Sequence, residues 1–397
     1  MLGLWWALIL AVIFVVVNGI TQMYLAKGLG YKLKPTGLAY FVGVLGNLFT
    51  GSVVPISGQA ETLTLSGKIK DLPTRVAALL IAAAVGIIMG LTGSTSKIAE
   101  FAGSTAVAGM MAGVGFILAG VGWSMCKQET RTGVVSMAVA YAIYMTTHDL
   151  VYTIAGSVAI STLDFCLLQG RRVDLQKLEI ETGSTPESDE WRFWKKAYWM
   201  DFKLLKPKFG WAAVMGGLSF ICLNIGSNIS FGNITSSIAG QTPKLDSLTW
   251  INSLADVPSI LFGGAPIEAI ISGTAGVPSL GIVNGPWLAG IIMMALSGIL
   301  LITGLVGKLG KYIPAQSIAG FLFIIGLNIT VLPNLATVAG ALVQVTEAFD
   351  ANIVGFLAGG TACAITVISE NAFVGLATGA LIYNIPVLAP MLFHLFA

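Results

Sequence analysis

Two acidic residues, Glu61 and Glu268, stand inside apolar stretches of opposite halves of the chain, six and two residues after Pro55 and Pro266. An ionisable side chain at membrane depth is expensive and marks a substrate or ion pathway by default. Glu61 ends the stretch Pro55-Ile56-Ser57-Gly58-Gln59-Ala60-Glu61. If 51–56 is extended, a helix starting near Ser57 turns free N–H groups toward the membrane centre, where donors and dipole favour an anionic or electron-rich ligand. Gln59 both donates and accepts, which suits the amide edge of a planar heterocycle. The plainer reading makes Gln59 and Glu61 a cap at the end of a loop. Glu268, expected in a matching half-helix, can accept from a ligand N–H or carry a coupling proton; its plainer role is a charge that only stabilises the helix dipole. Asn224 lies in the polar stripe Cys222-Leu223-Asn224-Ile225-Gly226-Ser227-Asn228, which must face protein or a cavity, with interhelical hydrogen bonding as the alternative.

Other polar groups read as structural. Asp256 precedes Pro258 near a helix break, Glu370-Asn371 opens the last apolar segment, and His148-Asp149 reads as a turn. The four cysteines lack CxxC spacing and the two histidines stand far apart, so neither a metal site nor a disulfide framework is expected. HExxH, GxSxG and GxxxxGK[ST] are absent, which argues against a membrane hydrolase or an ATP-driven pump. An enzyme is not expected, nor a cofactor, nor a nucleic-acid partner.

The elements that must position these residues are membrane segments. Hydrophobic residues make up 55% of the 397-residue chain and charged ones 10%, where soluble domains carry about 25%. Mean hydropathy is +0.85. The sequence predicts an all-α, multi-pass protein of the cell membrane. A spanning helix needs about 20 apolar residues. Runs of about that length cover 2–25, 36–50, 75–93, 101–123, 132–147 and 150–168, then 211–231, 248–262, 285–306, 313–333, 351–368 and 371–396. Segments 51–66 and 264–280 are too rich in small residues and Pro for lipid-facing helices and read as half-helices with an extended stretch. Residues 334–350 read as an extra surface helix. The first run has no cleavage site after it and is taken as a retained helix.

Fourteen segments divide into two sets of seven. Pro55 and Pro266 are 211 residues apart, and so are Val107-Ala108-Gly109 with Gly115 and Ile318-Ala319-Gly320 with Gly326. A constant offset implies duplication, with 1–168 and 211–397 as repeats joined by a polar linker, 169–210. Broken segments at equivalent places are the best sequence pointer to a transporter's binding site. In the linker, Gly183 to Asp189 reads as a flexible loop. Trp191, Phe193, Trp194, Tyr198 and Trp199 alternate with Arg192, Lys195, Lys196 and Lys203 as in a helix lying at lipid headgroups. The positive-inside rule puts this linker in the cytoplasm, together with Lys27, Lys32, Lys34, Lys68, Lys70, Arg75, Lys127, Arg131, Lys308 and Lys311, and both termini outside.

Gly46-Asn47-Leu48-Phe49-Thr50-Gly51 before a Pro-Ile break, Phe262-Gly263-Gly264-Ala265-Pro266 running to Ser272-Gly273-Thr274-Ala275-Gly276-Val277, and Ile313-Pro314-Ala315 together resemble the nucleobase-ascorbate transporter superfamily, closest to its hypoxanthine/guanine permeases. The resemblance implies two inverted seven-segment repeats, core and gate domains, and a ligand between the third and tenth segments beside the eighth. Carried over, the site falls on Ser57, Gly58 and Gln59, on Ala265 through Ser272, and on Asn224. The eighth-segment Glu of uracil and xanthine permeases is Asn224 here, and the tenth-segment Glu aligns with Ser272. The family's termini are cytoplasmic, against the lysine count, which leaves orientation open at this stage. The expected function is secondary transport of a nucleobase-like small molecule, coupled to a proton or sodium ion through Glu268 and Glu61. The alternatives are an anion transporter of the sulfate-permease type and a non-transporting receptor or assembly subunit. Lipid and a second copy in a homodimer are the expected partners.

Overall fold

Gly51, at φ 64, ends a long helix in the left-handed conformation that only glycine adopts without strain, and the chain then crosses Val53, Val54 and Pro55 in extended form. This break is one of two around which the computed structural model is organised. It describes residues 21–148, 150–171, 192–270, 272–277, 284–306, 312–343 and 351–386, and single positions at 5, 8, 9, 19, 188, 190 and 279. Most of the first expected segment before residue 21, Asp149, the loop 183–189 except Ser188, Trp191, Lys308, Lys311, the stretch 344–350 and the last segment beyond 386 lie outside the described residues.

The first repeat runs through α1 (Thr21–Gly28), α2 (Leu33–Thr50), β1 (Ile56–Ser57), α3 (Ala60–Gly67), α4 (Leu72–Leu91), α5 (Ser94–Ala102), α6 (Ser104–Gln128), α7 (Thr130–Thr147) and α8 (Leu150–Leu163). One helical turn, α9 (Lys196–Trp199), stands in the linker. The second repeat follows with α10 (Trp211–Ile238), α11 (Leu245–Leu261), β2 (Glu268–Ala269), α12 (Gly285–Ile302), α13 (Ala319–Ile324), α14 (Leu332–Val343), α15 (Ala351–Ser369) and α16 (Ala372–Tyr383). Six of the described helices are long and apolar enough to cross a membrane. The chain is an all-α, multi-pass membrane protein with two short strands at its centre.

Several expectations need correction. The first half-helix starts at Ala60, not near Ser57, because the chain stays extended through Gln59 to pair with β2. In the second, the described residues between β2 and α12 hold a 3-10 turn, Gly273–Gly276, and no α-helix; two glycines in those four residues disfavour one there. Glu268 therefore sits on a strand. Residues 332–343 do not form a separate surface helix but continue α13 through a π-helical stretch, Ile325–Val331. The interfacial segment is only α9 and a 3-10 turn, Met200–Phe202, although Phe193, Trp194 and Trp199 are exposed as expected. Helix α5 lies between two expected spans.

The strands pair antiparallel, Ile56 with Ala269 and Ser57 with Glu268. Ser57 and Glu268 are 211 residues apart, the repeat offset, so these equivalent positions are also partners. That requires a local two-fold axis between them. Gly115 and Gly326 behave alike: a Cβ on either would stand 2.7 Å from the other's carbonyl oxygen. Repeats related by such an axis are inverted, and their segments interleave. Helix α2 packs on α11 and α12, and α4 on α10 and α11, giving a core domain; α6, α7, α8 and α13 to α16 pack together as a gate.

Following the chain, the loops at 28–34, 67–75, 128–131, 164–171, 188–208 and 370 share one end of the bundle. Hydrogen bonds from Arg75 to the Leu29 carbonyl (2.6 Å) and from the Lys208 N–H to that of Pro73 (3.0 Å), and a Lys68–Glu370 ion pair (2.6 Å), join several of them. The linker is fastened to this face by Lys34, whose buried ammonium donates to Asp201 Oδ2 at 2.6 Å and to the Ser188 and Glu190 carbonyls at 2.6 and 2.9 Å.

Candidate functional site

Non-helical backbone inside a membrane protein must find hydrogen bonds within the protein or line a cavity. At the first break, Asn47 Nδ2 donates to the Val54 carbonyl at 2.8 Å, and β1 gives the Pro55 carbonyl to the Ile270 N–H at 3.2 Å. Gln59 Nε2 donates to the Ala269 carbonyl at 2.7 Å, tying the first break to the second. At the second break, the Ala265 N–H donates to Thr36 Oγ1 at 2.8 Å, the Ile267 N–H to Asp256 Oδ1 at 2.7 Å, and Thr235 Oγ1 to the Ile270 carbonyl at 2.8 Å. Asp256, expected as structural, does hold the strand, and it brings a third buried carboxyl group to the crossing.

The structure brings Ser57, Gly58, Gln59, Glu61 and Glu268 together around the crossed strands. Ser57 Oγ lies 2.6 Å from Tyr40 Oη, which also accepts from the Gly58 N–H at 3.4 Å, so the hydroxyl is satisfied. Glu268 and Glu61 are 2% and 1% exposed, and each has one carboxyl oxygen, Oε2, without a hydrogen-bond partner among the described residues. The hydroxyls of Thr62 and Ser227 and the Glu61 carboxyl all act on Glu268, yet neither hydroxyl makes a close hydrogen bond among the described residues. Four unfilled polar groups in one buried place are unusual, because such atoms in folded proteins nearly always find partners. The other oxygen of Glu61 accepts from Thr330 Oγ1 at 3.3 Å. Thr330 belongs to the π-helical stretch of the gate, so this bond joins the two domains at the site.

The remaining expected residues are placed differently. Asn224 is buried, its Oδ1 accepting from Asn228 Nδ2 at 2.8 Å; Asn228 also donates to Thr249 at 2.9 Å, and the Asn252 amide lies 2.9 Å from Asn228 Oδ1. Ser272 uses its hydroxyl to cap the 3-10 turn, 3.3 Å from the Thr274 N–H and 2.8 Å from Thr274 Oγ1. Ala265 is tied to the start of α2 at the linker end, away from the crossing. Sequence reasoning missed Thr62, Ser227 and Thr330. Ser227 belongs to the polar stripe and Thr62 follows Glu61 directly, so both had a signal; Thr330 had none, because its approach depends on how the gate packs.

A cavity of about 580 Å³ lies between core and gate, beyond the site from the linker face. Ile229, one residue past Asn228, and Ile329, one residue before Thr330, line it together with Glu100, Asn334, Thr337 and Tyr383.

No protein-family profile and no curated protein sequence matches the chain. Among solved structures it is similar to the transmembrane domain of a cyanobacterium bicarbonate transporter, BicA, with a TM-score of 0.64 at 15% identity over 95% of this chain and 97% of that one. It is also similar to SLC26A9, with a TM-score of 0.63 at 12% identity over 94% of this chain and 64% of that one. These likenesses show the fold. They give no support to membership of the nucleobase-ascorbate family.

Proposed function

We propose that the chain is a secondary transporter of a small anion, coupled to protons through Glu268 with Glu61 as a second site. The observation that carries this reading is the crossing itself: the N-terminus of α3 opens onto two paired strands at the centre of the molecule, beside buried carboxyl oxygens that have no close hydrogen bond among the described residues. The first N–H groups of a helix have no intrahelical partner and attract negative charge. The fold likeness to a bicarbonate transporter supports the same substrate class. A nucleobase fits less well, because Gln59, the residue suited to a heterocycle's amide edge, already spends a donor on Ala269.

Coupling follows from charge. An anion about 5 Å from an ionised carboxylate, at an effective dielectric of about 20, is repelled by about 3 kcal/mol, which is more than a hundredfold in affinity. Glu268 must carry a proton when the anion is bound, and release of either ligand favours release of the other. Ser57, Gly58 and Gln59 shape the first wall of the site, Asn224 the side, and Ala265 and Ser272 hold the second break in place. Residues 1–168 and 211–397 act as the two repeats, with 169–210 as a strap on the core. Uptake by proteoliposomes of bicarbonate, sulfate, chloride, a purine and a pyrimidine, with and without an inward proton gradient, tests the reading. Gradient-stimulated uptake of one of the anions is expected, and uptake of the bases alone would refute it.

A further inference from the structure

The cavity and the charge of the two faces together say which side of the membrane the site faces. Of the seventeen described lysines and arginines, fifteen lie at the linker end of the bundle, in the loops from Lys27 to Arg75, from Lys127 to Arg171 and from Arg192 to Lys208. The other two, Lys97 and Lys244, lie at the opposite end, where Lys244 Nζ donates to the Thr50 carbonyl at 2.7 Å. Acidic residues are found at both ends, but they contribute little to orientation, which follows the lysine and arginine bias of short loops near the membrane. A distribution of fifteen to two is one-sided. Eight of the fifteen come from the first repeat and seven from the linker, and the fastening of the linker through Lys34 and Asp201 makes the face a single surface.

The cavity lies at the other end. Its wall runs from Glu100 and Ser104, at the α5–α6 corner, across Leu245 at the start of α11 to Asn334, Thr337 and Tyr383 near the ends of α14 and α16. Deeper, it is lined by Val107, Ile229 and Ile329; the last two adjoin Asn228 and Thr330 in the sequence, and Thr330 is bonded to Glu61. At the linker end the described loops are tied together: Arg75 binds the Leu29 carbonyl, the Leu205 N–H donates to the Leu261 carbonyl at 2.8 Å, and Asp201 of the linker holds Lys34 at the start of α2.

We propose that the linker face is cytoplasmic and that this cavity is the external vestibule of the site, so that the conformation described is the outward-open one and the chain takes its substrate from outside. The assignment of the faces stands on its own; the use of the vestibule rests on the transport reading. The orientation is opposite to the one that the sequence resemblance implies, with the described start of the first repeat and end of the second running toward the outside.

Single cysteines in a background with Cys126, Cys166, Cys222 and Cys363 replaced by Ser test it in whole cells. Thr337→Cys, in the vestibule, is expected to react with a membrane-impermeant maleimide in intact cells, and Lys196→Cys, on the exposed linker, only after permeabilisation. Reaction of Lys196→Cys in intact cells overturns the orientation. If Thr337→Cys and a second vestibule variant, Glu100→Cys, react only after permeabilisation, the vestibule is not external. A bulky maleimide on Thr337→Cys should also abolish uptake of the anion, and undiminished uptake by fully labelled protein would show that the cavity is not the access path. Absence of uptake before any labelling would instead strike the transport reading and leave the orientation to the labelling result.

Discussion

The two broken segments occupy equivalent places and do different work. In the first, Ser57 is satisfied by Tyr40, and the chain goes on to an α-helix of eight residues whose N-terminus opens at the crossing. In the second, the equivalent position is Glu268, with an oxygen unfilled among the described residues, and the described chain goes on to a 3-10 turn. Duplication kept the backbone pairing, which neither strand can do without inside a membrane protein, while the side chains diverged. The first break supplies a dipole and a scaffold; the second supplies the group that can take up a proton.

If that division is right, removing the acid from the second break should matter most. Glu268→Gln keeps the size of the side chain and should lose the rise of uptake at low external pH, while the protein stays folded by thermal unfolding in detergent. The sign is fixed by the coupling: in the unaltered protein, uptake increases as the outside pH falls, because the anion needs the protonated carboxyl. Asn224→Ala should weaken substrate binding, since losing a directional contact costs about 1–3 kcal/mol, or roughly 5- to 150-fold in affinity. Its pH dependence should not change, and a changed profile would move the proton site to α10. Gly326→Ala would push a methyl group to 2.7 Å from the Gly115 carbonyl on the axis between the repeats. Overpacking of this kind costs about 1–3 kcal/mol, to be read as a lowered melting temperature. Ser57→Ala should have the smallest effect, a loss of about 1 kcal/mol in stability for one neutral hydrogen bond, with the coupling intact; loss of coupling there would erase the difference between the two breaks.

The duplication was readable because Pro55 and Pro266, and Gly115 and Gly326, keep one offset, and each pair answers a local demand: a break in a helix, or a close backbone contact. The character of the second break was less so. Gly273 and Gly276 did carry the message that those four residues would not form an α-helix, but the match to the first break outweighed them. The pairing of Ser57 with Glu268 could not be read at all, since a strand register between residues 211 apart is decided by how the repeats pack. The same holds for Thr330, which reaches Glu61 from the gate across 269 residues of sequence. Asn224 was visible as part of a polar stripe, one helical turn from Asn228, whereas the contacts of Asn228 with Thr249 and Asn252 needed α10 to be seen against α11. The basic residues told of one face from the start, and the structure shows that the loops carrying them meet there.

The central claim is that proton and anion move together through Glu268. Proteoliposomes loaded with a pH-sensitive dye, given an inward anion gradient at equal internal and external pH with the membrane potential clamped, measure this directly. The account predicts that the lumen acidifies as the anion enters the unaltered protein and that Glu268→Gln abolishes the acidification. Acidification that persists unchanged in Glu268→Gln, or anion influx without any acidification in the unaltered protein, would contradict it.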